Sequence, residues 1–254
     1  MRSTFLHPWL LVALFLVTWV GTSNAQRQDR IFVVAPGLPA PPAGGETAYD
    51  RLLDSKLPPW DVPGWKSYDR LWREFASTPD DIGLRKYLGL PIGVSAGEST
   101  TLNVARGRSA PRWLGWRSGS YQQIESPHFR IYSRANEASG REVARDLERV
   151  YWIWTQVFFP FWEGQPQVAL HLKDVSRDQP IASQLAAGSR VVSRKKLRVV
   201  LFRDADEYQR TLSRSVPGIE RSTGFYSDQQ STSFFYPTQS ADSVATRRHE
   251  LVHQ

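Results

Sequence analysis

The 254-residue chain contains no cysteine. Disulfides are excluded, so its stability must come from a buried core of ordinary size. A lipid anchor attached through a cysteine is excluded for the same reason. No N-x-S/T sequon occurs. The apolar run WLLVALFLVTWV, Trp9 to Val20, falls short of the about 20 residues that a transmembrane helix needs. Basic residues never run longer than RKK, Arg194 to Lys196, although the chain carries a net charge of +7. A dispersed excess of that kind reads as a solvated surface rather than a nucleic-acid interface.

What is present at the N-terminus has a different logic. Arg2 supplies a short positive region, Trp9 to Val20 an uncharged apolar one, and Ser23 and Ala25 the small residues of a cleavage site before Gln26. This is the pattern of a secretory signal covering residues 1–25, and it points to a secreted or periplasmic protein with no integral membrane segment once cleaved. Export also argues against nucleic acid as a partner. Removing Arg2 leaves 31 basic against 25 acidic residues, a charge of +6.

Residues 26–66 read as an extended Pro/Gly-rich linker, typified by APGLPAPPAGG. Residues 67–112 form an irregular, partly helical region in which Tyr68, Leu71, Trp72 and Phe75 share one helical face. From residue 113 the patterning sharpens. HFRIYS, His128 to Ser133, alternates like a half-buried strand. SGRE, Ser139 to Glu142, looks like a capping box opening a helix with Val143, Leu147, Val150, Tyr151 and Trp154 at spacings of three and four. Gln167 to Val175 alternates again and predicts a strand, followed by a short helix between Pro180 and Gly188. LRVVLF, Leu197 to Phe202, is nearly continuous in apolar character and predicts a central strand. DADE, Asp204 to Glu207, caps a helix, and GFYSDQQSTSFFYP predicts a hairpin turning at Asp228 to Gln230. A last helix begins near Ser240. The expected architecture is α+β, a mixed β-sheet with helices packed against one face, in a domain spanning residues 113–254.

That last helix carries RRHELVHQ. His249 and His253 are four apart, hence one turn apart on one helical face. Two imidazoles so placed can hold one Zn2+ ion, whose tetrahedral sites take nitrogen at roughly 2.0–2.1 Å. Glu250 follows the first histidine, about 100° around the helix, where a carboxylate can take a proton from zinc-activated water as it attacks a carbonyl. The bland alternative is a surface helix with solvated histidines beside Arg247 and Arg248.

HELVHQ on a helix, preceded by HFRIYS, a long helix, LRVVLFRDADEY and the hairpin, resembles the zincin metallopeptidase superfamily, and within it the secreted bacterial peptidase-like families. The resemblance covers about residues 126–254 and implies the upper, N-terminal half of a zincin catalytic domain. It implies His249 and His253 as zinc ligands, Glu250 as general base, a peptide or protein substrate, and a substrate-pairing role for the strand STSFFYP. It also implies a third ligand downstream of the motif. None follows Gln254, and the upstream histidines His128 and His171 read as surface residues, so the chain reads as an incomplete member that is inactive alone. A non-catalytic envelope protein on the same half-fold, binding peptide or glycan through its ten tryptophans, is the second expectation. Adhesion of a basic surface to acidic polymers is the third.

Overall fold

The computed structural model describes residues 60–93, 100–193, 195–238, 246, 247, 249, 250 and 253. The expected signal segment, nearly all of the expected linker and the start of the last helix lie outside these residues.

Two helices come first, α1 (Trp65–Ser77) and α2 (Ile82–Tyr87), then strands β1 (Asn103–Arg106), β2 (Gln122–Glu125) and β3 (Phe129–Ser133). The long helix α3 (Glu137–Val157), α4 (Gln165–His171) and α5 (Ile181–Gln184) lead to β4 (Leu197–Leu201). Helix α6 (Ala205–Leu212) precedes the hairpin β5 (Gly224–Ser227) and β6 (Thr232–Phe235). The six strands form one mixed sheet in the order β1-β2-β3-β4-β6-β5. Strands β3, β4 and β6 run parallel, while β1, β2 and β5 are antiparallel to their neighbours. The continuous apolar run of β4 is thus explained: it lies in mid-sheet, with Val199 and Val200 both fully buried on opposite faces.

Alternation along the strands divides the interior into two layers. Phe129, Ile131, Val199, Leu201 and Phe235 face a core built with α1 to α5. Tyr132, Val200, Phe202 and Phe234 face a second core with Tyr208 and Leu212 of α6 and with Leu114 and Ile219. The sheet is therefore covered on both faces, not on one as its pattern predicts. Ile131 and Leu147 lie deep in the first core, at 0% and 1% exposure, and truncation of either to alanine costs about 2–5 kcal/mol. Gly140 lets α3 lie close over β2, because a Cβ there would stand 2.6 Å from Ile124 Cδ1.

Three local expectations need correction. Gln167 to Val175 is not a strand: Val168 and Leu172, four apart, are buried while Leu170 between them is 64% exposed, which is helical periodicity in α4. Helix α3 begins earlier than Ser139, because Asn136 Oδ1 accepts from the Ser139 amide at 2.8 Å and takes the cap. Helix α5 ends at Gln184, before Gly188. Strands β1 and β2 escaped the sequence pattern because they are short and largely polar, with β1 mostly exposed at the sheet edge. By contrast Asp204 caps α6 as expected, its carboxylate accepting from the Glu207 amide at 2.8 Å. Among the described residues, no helix is long and apolar enough to cross a membrane.

Candidate metal centre

Thr246, Arg247, His249 and Glu250 are helical, and His253 follows in a turn. This segment lies over the β5–β6 hairpin on the face that also carries α3. Two contacts fix it there. The Ser233 hydroxyl donates to the Glu250 carbonyl at 3.4 Å. Gly224 has no side chain where Glu250 passes: a Cβ there would stand 3.4 Å from Glu250 Cγ and 2.8 Å from the Phe235 ring. Arg247, two residues before His249, is 6% exposed, so it is buried rather than part of a solvated face.

The imidazoles converge. His249 Nε2 and His253 Nε2 are 3.3 Å apart, with ring planes at 77°. Two nitrogens each about 2.05 Å from a tetrahedral zinc would be about 3.3 Å apart, so the separation of the two nitrogens matches that of a zinc-bound pair. Burial, and then the neighbouring His253, push the His249 pKa down, favouring the neutral ring that a metal requires. Tyr226 lies against His253, its ring nearly parallel at 6.2 Å.

Glu250 is half-buried. Desolvation pushes its carboxyl up to about 7, against the opposing effect of a hydrogen bond from the Tyr226 backbone N–H. A carboxyl balanced near neutrality is suited to taking up a proton during a reaction. Tyr226 belongs to β5, which is paired with β6 on one side and ends the sheet order on the other. The strand expected to pair with substrate, STSFFYP, is β6. It is interior, bonded to both β4 and β5, so among the described residues the edge beside the motif is GFYS instead.

No third ligand joins the histidines: among the described residues, no group of three His, Asp or Glu is placed to hold a metal. The upstream histidines are elsewhere and neither is a free surface group. His128 is 5% exposed, stacked on Tyr151 at 3.8 Å. Its Nδ1 meets Glu148 Oε2 at 2.7 Å, while Glu148 Oε1 accepts from Ser126 Oγ at 2.6 Å and from the His128 amide at 2.8 Å. His171 ends α4 against Tyr87, with Nδ1 buried and unpartnered. Sequence reasoning missed Glu148, Ser126, Tyr226, Ser233 and Gly224. The only signal for Glu148 was a charge next to Leu147 on the apolar face of α3.

The tryptophans serve mainly as core. Trp65, Trp72, Trp152 and Trp162 are buried, and of the eight described only Trp113 is exposed. No protein-family model, no curated protein and no solved structure matches the chain.

Proposed function

We propose that this is a secreted zinc-dependent, zincin-like metallopeptidase-like hydrolase. The observation that carries the reading is the 3.3 Å separation of the His249 and His253 Nε2 atoms. Bound there, zinc supplies Lewis acidity and lowers the pKa of the water it holds to about 7.

The remaining roles belong to the chain. His249 and His253 hold the ion as neutral ligands. Glu250 accepts the proton of water attacking a peptide carbonyl, its carboxyl kept near neutrality by burial. The outer side of β5 offers backbone groups to an extended peptide, and the Tyr226 amide at that edge steadies Glu250. A third ligand must join the two histidines before the centre is complete.

The test is zinc content and peptide hydrolysis by the protein. Zinc bound in equimolar amount should be lost on His249→Ala or His253→Ala. Hydrolysis should fall about 10²- to 10⁴-fold on Glu250→Gln with the metal retained. Zinc binding indifferent to both histidine variants, or hydrolysis indifferent to Glu250→Gln, overturns the reading.

A further inference from the structure

The connection between β1 and β2, residues 107–121, carries charge of one sign and takes no part in the metal centre. No acidic residue occurs between Glu98 and Glu125, while Arg106, Arg108, Arg112 and Arg117 all fall in that interval. All four are exposed, and among the described residues none of them is in an ion pair. The basic excess that is dispersed along the whole sequence is here locally uncompensated.

The shape of the loop follows from its own residues. The Gly107 amide donates to the Tyr121 carbonyl at 2.9 Å and the Gly119 amide to the Gly107 carbonyl at 2.7 Å, so the neck is closed. A loop closed in this way is packed by its own side chains. Leu114 is 6% exposed in the second core, and Trp116 packs against Tyr121 and Phe202, with ring centroids 5.7 Å and 5.8 Å away. Arg112, Trp113 and Leu114 form one 3-10 turn, in which successive side chains point about 120° apart. With Leu114 directed into the core, Arg112 and Trp113 are left outside. Trp113 stays 42% exposed although its ring meets Phe234 at 5.6 Å.

The combination selects a partner. A positive field without an acid in it complements a surface of uniformly negative charge, whereas a folded protein partner presents both signs. An exposed indole on the same loop suits the boundary of a bilayer, where its apolar ring and its polar N–H are both accommodated. The other exposed residues of the loop, Ser109, Gly115, Ser118 and Ser120, are small and let a flat surface approach. We propose that this loop docks the protein on an anionic lipid surface, with Arg108, Arg112 and Arg117 at the headgroup phosphates and Trp113 at the interface.

The docking face is opposite the metal centre. Trp113 lies on Phe234, whereas the turn carrying Glu250 rests on Ser233 and passes beside Phe235. Neighbouring residues of a strand face opposite sides of the sheet, so a protein seated on the loop holds that turn on the side away from the lipid.

Hydrogen exchange of the whole chain, with vesicles of phosphatidylcholine alone or with about 40% phosphatidylglycerol, tests the proposal. Amides of residues 107–121 should be protected by the anionic vesicles, not by the neutral ones, and the protection should fade as salt is raised from about 0.05 M to about 0.5 M. Each arginine near an anionic surface is worth about fivefold in binding, so Arg108→Gln, Arg112→Gln and Arg117→Gln together should reduce the gain in vesicle binding from anionic lipid about a hundredfold. Trp113→Ala should reduce it severalfold, with the circular dichroism spectrum unchanged. Lys173→Gln, Arg177→Gln and Arg190→Gln together remove the same charge from exposed positions elsewhere and should leave it nearly as it was. A loop left unprotected by anionic vesicles, or equally protected by neutral ones, overturns the proposal. So do equal losses in the two triple variants, and so does protection by heparin or duplex DNA in place of vesicles, which would assign the loop to a soluble polyanion.

Discussion

Replacing Glu250 with glutamine should make the metal-free protein more stable above neutral pH, and only there. The carboxyl is packed over Gly224, and desolvation raises its folded pKa from 4.5 to about 7. Because the pKa is raised, folding favours the protonated acid. That contribution is fully present below pH 4.5 and is lost as pH rises through 7, after which a partly desolvated carboxylate remains. Converted at about 1.36 kcal/mol per pH unit, the whole rise corresponds to about 3.4 kcal/mol. The group is only half-buried, so solvent screening reduces the expected gain to about 1–2 kcal/mol. Glutamine keeps the shape and removes the charge. Urea unfolding with chelator present, at about pH 8 and about pH 4, reads the difference directly. A variant no more stable than the parent at the higher pH, or equally stabilised at both, would refute the desolvation argument.

Glu148→Ala removes the acceptor shared by Ser126 Oγ, the His128 amide and His128 Nδ1. It should cost about 3–5 kcal/mol in the same denaturation assay, and Glu148→Gln, which keeps one oxygen, distinctly less; a loss below about 1 kcal/mol would show that the network is not satisfied as described. Burial pushes the phenols of Tyr68, Tyr87, Tyr151 and Tyr208 above their usual range. Their contribution to stability is complete below the unfolded value of about 10 and lost as pH rises beyond it, so these four should ionise only as the near-ultraviolet dichroism collapses; phenolate absorbance appearing in a still-folded protein would contradict it.

Where each side of a segment meets one uniform environment, the sequence was readable. The alternation of Phe129 and Ile131, the apolar run of β4 and the spacing of Val143, Leu147 and Val150 each report a single buried surface. The motif was readable because one turn of helix brings residues four apart together. Gln167 to Val175 misled because a short helix with one buried stripe also alternates over three residues. Which hairpin strand lies at the edge was hidden for another reason: both strands alternate alike, and only pairing with β4 makes β6 interior. The Ser126–Glu148–His128 network joins residues 22 and 20 apart, and no local period encodes that.

The hairpin also acts as an index for the helical turn that carries Glu250. Its bend closes with the Ser231 amide on the Asp228 carbonyl, and Ser231 adopts φ 43°, a left-handed state that costs a non-glycine residue about 1–2 kcal/mol. Because side chains alternate with period two, lengthening or shortening this bend by one residue would turn β6 over. Thr232 and Phe234 would then come up beneath Glu250 in place of Ser233 and Phe235, exchanging the supporting hydroxyl and the neighbouring ring together. The length of the four-residue bend from Asp228 to Ser231 thus sets which residues the turn carrying Glu250 rests on, and insertions there should be far less tolerated than in an ordinary surface turn.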